Sequence, residues 1–217
     1  MNNEIYFQNT EQGYGSVAVE YARQFFDELG YKPLDRDLLQ RMAREVGALG
    51  VICDMGCGPG QVARYLKDHG AEVVVGLDLS EGMLVEARRL NPDIPFLAGN
   101  MLSLSVPDSS WGGIAAFYSI IHIPRPLLAG AIQEFFRVLL PGGMLMLAFH
   151  AGDETLHLDS WWEKPVSLDF NFLLPAEIRR QVEQYGFNIE DVIIRAPYAS
   201  EHISQRAYII ARKPTLE

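Results

Sequence analysis

The hydrophobic positions of this chain switch repeatedly between a helical period and short, nearly continuous apolar runs. Val17, Ala18, Tyr21, Phe25, Phe26 and Leu29 share one helical face, which predicts an amphipathic helix over residues 16–29 that stops at Gly30. A second helix is expected after Asp35 as N-cap, with Leu38, Leu39, Met42 and Val46 inward and Gly47 ending it. Strand-like runs follow at 51–54, 72–77, 94–98, 114–118 and 144–149. Helical patterns lie between them at 59–67, after a Ser80 cap, and at 127–139. The runs at 72–77, 114–118 and 144–149 lack polar alternation, as a sheet covered on both faces requires. Strands alternating with helices predict an α/β fold with a doubly wound, Rossmann-like, mostly parallel sheet.

The tail breaks that rhythm. A helix from Pro175 ends at Tyr185-Gly186-Phe187, and 189–196 and 206–212 then read as strands joined by a loop too short for a crossover helix. They are expected to pair antiparallel at the edge of a seven-stranded sheet. No repeat, low-complexity run or linker divides the chain. One domain over 1–217 is expected, with a helical cap over 1–34 and an insert over 151–174.

Composition narrows the partners. A net charge of −10 argues against a nucleic-acid footprint. No apolar run reaches the roughly 18 residues of a spanning helix, and the polar Met1–Gln12 start does not read as a signal peptide. A cytoplasmic monomer or homodimer without membrane attachment is expected. The two cysteines, Cys53 and Cys57, suit a reducing compartment and lack the further ligands a metal would need.

The chemistry begins at Val51-Ile52-Cys53-Asp54-Met55-Gly56-Cys57-Gly58-Pro59-Gly60, a buried strand, a glycine loop and a helix start. Glycines let backbone approach a ligand, and helix-start N–H groups favour electron-rich partners. A dinucleotide fingerprint needs a third glycine where Gln61 stands, and Gly60 comes one residue early, which disfavours NAD. Asp78 ends the second strand, where a carboxylate accepts ribose hydroxyls. Asn100-Met101 follows the third, where a polar side chain and an apolar one grip an adenine edge. The loop carries no phosphate-binding lysine, so a nucleoside without phosphates is expected.

These residues resemble the class I S-adenosylmethionine-dependent methyltransferases, in particular their small-molecule branch. The resemblance rests on Asp54–Gly60, on Gly76-Leu77-Asp78-Leu79-Ser80 with Met83-Leu84, and on Gly99-Asn100-Met101. It continues through Phe117–His122, Arg137–Gly143 and Tyr185-Gly186-Phe187, and covers roughly residues 35–212. Position 100 commonly holds Asp in that family, so Asn100 keeps an acceptor oxygen but loses the charge.

The resemblance implies in-line methyl transfer from S-adenosylmethionine to a small-molecule O, N or C nucleophile, leaving S-adenosylhomocysteine. It implies cofactor contacts at Asp54, Gly56, Cys57, Gly58, Gly60, Asp78, Leu79, Met83, Asn100, Met101 and Tyr118, with Tyr14 and Tyr21 from an N-terminal helix. Plainer roles stand beside several of these: a helix cap for Asp54, core packing for Met83 and Tyr21. His122 and His150, after the fourth and fifth strands, are the candidate catalytic groups, since a weakly acidic acceptor needs a general base. The insert Ala151–Leu174, with Trp161, Trp162, Phe170 and Phe172, either closes over a partly apolar, neutral or cationic acceptor or stitches a loop to the body. Two other functions remain: a non-catalytic S-adenosylmethionine-binding protein, and an NAD-dependent oxidoreductase.

Overall fold

The computed structural model describes residues 3–215. Helix α1 (Asn3–Phe25), a 3₁₀ turn at Glu28–Tyr31 and α2 (Pro33–Val46) precede β1 (Val51–Met55). Next come α3 (Gln61–Asp68), β2 (Val74–Asp78), α4 (Glu81–Leu90), β3 (Phe96–Ala98), β4 (Trp111–Phe117), α5 (Leu128–Val138) and β5 (Leu139–His150). The chain continues through β6 (Thr155–Trp161), β7 (Lys164–Asn171), α6 (Pro175–Gln184), β8 (Asn188–Arg195) and β9 (Arg206–Arg212).

Seven strands form one sheet in the order β3-β2-β1-β4-β5-β9-β8. The first five in chain order run parallel, as expected. Antiparallel β9 sits between β5 and β8, so β8 is the edge. Burial explains the order. Strand β9 is apolar and buried almost throughout, whereas β8 alternates between half-buried and exposed residues, which only an edge accommodates. Along β5, Leu145, Leu147 and Phe149 pack with Phe135 of α5 on one face, while Met144, Met146 and Ala148 pack with Met42 of α2 on the other. Each fully buried Leu, Met or Phe of this set stabilises by roughly 1.5–3 kcal/mol.

Three expectations need correction. Helix α1 starts at Asn3 rather than near 16, because its first turns are largely solvent-facing and carry no apolar period. It also ends at Phe25, and Leu29 is buried within the following 3₁₀ turn. Helix α2 opens with Pro33 at its first turn, so Asp35 does not cap it. The Asp35 carboxylate is buried and accepts from the Tyr208 hydroxyl at 2.9 Å. The insert contains the β6–β7 hairpin. Its two-residue turn puts Trp162 and Glu163 at φ +48° and +63°, where Asn-Gly is the usual signal, so the sequence did not announce it.

The hairpin and α1 lie together over the carboxyl ends of the strands. A Cβ on Gly82 of α4 would come within 2.6 Å of the Gly15 Cα, and one on Gly13 within 2.9 Å of Leu168 of β7. Small residues therefore seat α1 backbone-close on both neighbours. Beneath it, strand order reverses between β1 and β4, where open α/β sheets leave their ligand crevice. Among the described residues, no helix is long and apolar enough to cross a membrane.

Candidate functional site

A cavity of about 650 Å³ occupies that crevice. It is walled by the ends of β1 to β5, by α1 and by the hairpin. Asp78 anchors the loop after β1: its carboxylate accepts from the Gly58 N–H and from the Ser80 N–H, each at 2.8 Å. Burial raises this carboxyl above its ordinary pKa, while those N–H bonds pull it back. Ser80 then caps α4 through the Met83 N–H, as its sequence position predicts.

The three loop glycines serve different purposes. A Cβ on Gly56 would sit 2.3 Å from the Ser119 Cβ, so its bareness is needed for packing between β1 and β4. A Cβ on Gly58 would meet nothing nearer than Tyr21 at 3.8 Å and would project into the cavity space. Gly60 does not line the cavity. It sits at φ +85° before α3, where a Cβ would strike Phe96 and Asn91.

Every other sequence-predicted cofactor residue lines the cavity: Asp54, Cys57, Leu79, Met83, Asn100, Met101, Tyr118, Tyr14 and Tyr21. Some are also committed elsewhere. The Asp54 carboxylate accepts from the Ala63 N–H at 2.9 Å, which is a helix-start contact, and burial pushes its pKa up to about 8. The Asn100 oxygen accepts from the Leu102 N–H at 2.9 Å, leaving one lone pair and the amide N–H₂. Met83 is buried in the interior as well as touching the cavity.

Tyr14 and His122 meet, though 108 residues separate them. The imidazole Nδ1 lies 2.9 Å from the Asp169 carbonyl, which makes it the protonated nitrogen, so Nε2 accepts from the Tyr14 hydroxyl at 2.7 Å. Burial lowers the His122 pKa to about 4, so the ring is neutral at physiological pH. Trp161 lies edge-on to both Tyr14 and Tyr21, and Trp162 approaches Phe25, so the hairpin tip clasps α1. His150 stacks on Phe172 and bonds Ser204 through Nδ1 at 2.6 Å. Burial, with the nearby Arg206 charge second, lowers its pKa to about 3.

Several cavity residues escaped the sequence reading. Gln61 donates to the Glu28 carboxylate at 3.1 Å while its own Oε1 is buried with no partner. Lys32 pairs with Glu28 at 2.7 Å and lies 4.8 Å from the Tyr118 ring centre. Tyr118 itself adopts φ +54°, unusual for a residue with a side chain, and its hydroxyl lies 3.0 Å from that of Tyr208. The buried set Asp35, Arg195, Glu201 and Arg206 surrounds this pair. Long-range packing alone unites these groups; an isolated Lys or Glu in a helix linker carries no signal. Among the described residues, no group of three or more His, Cys, Asp or Glu gathers in a way that could hold a metal.

Comparison with known proteins agrees with this geometry. Residues 52–143 match a family model described as a methyltransferase domain. A malonyl-(acyl-carrier protein) O-methyltransferase from Enterobacter lignolyticus (strain SCF1) is 31% identical over 166 residues, covering 73% of this chain and 61% of that protein. The chain spans less than two thirds of the length of the curated relatives it matches first. Among solved structures, a DhpI–SAH complex superposes with TM-score 0.76 at 20% identity, covering 96% of this chain and 97% of that one. A magnesium protoporphyrin IX methyltransferase from Synechocystis PCC 6803, with bound SAM, gives TM-score 0.72 at 18% identity over 96% and 97% of the two chains. At that identity the likeness establishes the fold alone.

Proposed function

The chain belongs to the class I S-adenosylmethionine-dependent methyltransferases, and from that premise we propose that it transfers a methyl group to a small-molecule acceptor in the cytoplasm. The observation that carries the reading is the convergence of Gly58, Asp78, Asn100 and Gln61 on one cavity at the switch point of the sheet. Their free valences suit a zwitterionic nucleoside. The unpartnered Gln61 Oε1 matches an ammonium. The remaining lone pairs of Asp78 match ribose hydroxyls, and the Asn100 amide matches an adenine edge. The open side of Gly58 leaves room for the chain between them. The free thiols of Cys53 and Cys57 fit a reducing compartment.

When bound, S-adenosylmethionine supplies an electrophilic methyl carbon on a sulfonium, so the protein's task is alignment and exclusion of water. Tyr14, Tyr21 and Trp161 roof the cavity, which shields it. His122 positions Tyr14 through their hydrogen bond and, being neutral, places no charge beside a cationic ligand.

Isothermal titration with S-adenosylmethionine, S-adenosylhomocysteine and NADH, repeated with Asp78→Ala, tests the reading. Binding of the first two near micromolar, about −8 kcal/mol, with a loss in the variant, is the expected result. Binding of NADH alone, or of none, sinks it.

A further inference from the structure

Resting on the methyltransferase reading, we propose that the acceptor is a carboxylate carried on an apolar or aromatic body, held by Lys32 beside the Tyr118 ring and methylated on oxygen. Donors and acceptors at the β4–β5–β9 end of the cavity do not balance. Three carboxylates stand there, and each is committed. Glu28 accepts from Lys32 and Gln61. Glu201 is forked by Arg195 at 2.5 and 2.9 Å and also accepts the Tyr198 N–H. Asp35 accepts from Tyr208 at 2.9 Å and Arg195 at 3.3 Å.

The cations are less fully used. The Lys32 ammonium has three N–H donors and makes one hydrogen bond, to Glu28, with Glu201 at 3.8 Å. Its side chain is 10% exposed, so the two remaining donors face little solvent, and Lys32 lines the cavity. Arg206 lies 5.8 Å from the same Tyr118 ring. Its terminal N–H groups go to Ser204 and to the His202 carbonyl, and its Nε lies 3.8 Å from Glu201, so it offers a ligand no free donor. A ligand oxygen with negative charge satisfies the spare Lys32 donors, which an ammonium, itself only a donor, cannot do. This reverses the preference for a neutral or cationic acceptor drawn from the aromatic insert alone. Phe170, Phe172 and Leu158 on the hairpin side supply the apolar wall for the body of such a ligand.

Proton accounting points the same way. A hydroxyl or ammonium acceptor must lose a proton, but the His122 Nε2 is occupied by Tyr14 and His150 is held neutral with very low basicity. A carboxylate loses none. One oxygen lone pair forms the O–CH₃ bond as the C–S bond breaks and its electron pair returns to sulfur. Anion and sulfonium become a neutral ester and a thioether, and no proton moves.

The test uses protein saturated with S-adenosylhomocysteine and three matched probes: phenylacetate, phenylacetamide and 2-phenylethylamine, titrated calorimetrically. Phenylacetate is expected to bind at least tenfold tighter than the other two. Lys32→Met is expected to erase that preference and Lys32→Arg to restore it. Absence of phenylacetate binding, or equal or tighter binding of the amide or amine, overturns the proposal. So does a Lys32→Met protein that loses S-adenosylhomocysteine yet keeps 5′-methylthioadenosine, because Lys32 then serves the cofactor's own carboxylate. Failure of the wild-type protein to bind S-adenosylhomocysteine refutes instead the methyltransferase reading beneath it.

Discussion

Gly58→Ala separates folding from binding. The new methyl meets no atom nearer than Tyr21 at 3.8 Å, so no packing clash opposes it. What remains is the cost of a Cβ at φ +51°, about 1–2 kcal/mol. For a chain of this size that lowers Tm by roughly 2–8 °C, at about 2–4 °C per kcal/mol. The cavity side of the loop, however, loses the space that a ligand needs to lie against the backbone. S-adenosylhomocysteine affinity is expected to fall about 100-fold, roughly 2.7 kcal/mol. At 100 times the wild-type Kd, where the ligand contributes about 2.7 kcal/mol to wild type, it would contribute only about 0.4 kcal/mol to the variant, and the thermal shift would shrink accordingly. Gly56→Ala is the paired control. Its Cβ overlaps Ser119 at 2.3 Å, so it adds overpacking of about 1–3 kcal/mol to the backbone strain and destabilises first. Calorimetric melting with and without ligand, plus titration of each variant, reads both quantities. A Gly58→Ala protein that binds S-adenosylhomocysteine as wild type does would refute the placement of the ligand across this loop.

Two further substitutions probe the supports of the site. Asp54 is buried and its folded pKa is raised to about 8, so between pH 4 and 8 the folded state holds a proton the unfolded state has lost. Stability is therefore expected to fall with rising pH by up to about 1.4 kcal/mol per unit over that window. Asp54→Asn should remove this slope in denaturant titrations. An unchanged slope refutes the assignment. The histidines act in the opposite sense: their folded pKa values, about 4 for His122 and about 3 for His150, make stability fall as pH drops below 6.5, and that acid limb should survive in Asp54→Asn. Asn171→Leu should strip the bonds that fix the turn carrying His122, because the Asn171 amide donates to the Ile121 and Ile123 carbonyls. A loss of about 1–3 kcal/mol per orphaned carbonyl is expected in urea unfolding, and a neutral effect would show that water replaces the amide.

The strand-end half of the cavity was legible because its determinants are local. A strand end, a glycine pair and an acidic residue some twenty positions later are read from spacing, and the Gly58–Asp78 and Ser80–Met83 bonds fall where spacing puts them. Local reading left both roles of Asp54 open and misplaced Gly60. Asp54 faces the cavity and also meets the α3 N–H groups, while Gly60 satisfies a backbone angle away from the ligand space. Local reading failed in the hairpin, where Trp162 and Glu163 hold left-handed conformations that no turn motif encodes and Trp162 meets Tyr21 and Phe25 of α1. The Tyr14–His122 pair lay beyond reach for another reason. Both residues were candidates, but for different tasks, and only the seating of α1 by Gly13 and Gly15 brings them within 2.7 Å.

That division follows the chain itself. Gly58, Asp78 and Asn100 lie within residues 52–143, the stretch matched by the methyltransferase family model. Lys32, His150, Phe172 and Arg206 lie outside it, on the linker before α2, the end of β5, the insert and β9. A sheet whose strand ends hold the donor leaves the acceptor to whatever segments are laid over those ends, and the proposed acceptor site draws on these four. The elements that carry or flank them are joined by polar contacts as well as packing: Lys164 of the hairpin donates to the Ser16 carbonyl of α1, and Arg195 of β8 reaches Asp35 of α2. A change in any one of them therefore alters the shape offered to the acceptor while the strand-end contacts to the donor stay in place. Such a fold can change its acceptor without rebuilding its donor site, so the family's shared motifs identify the donor and say little about the acceptor. If Lys32 holds the acceptor as proposed, the charges around Tyr118, rather than the glycine loop, set this chain's specificity.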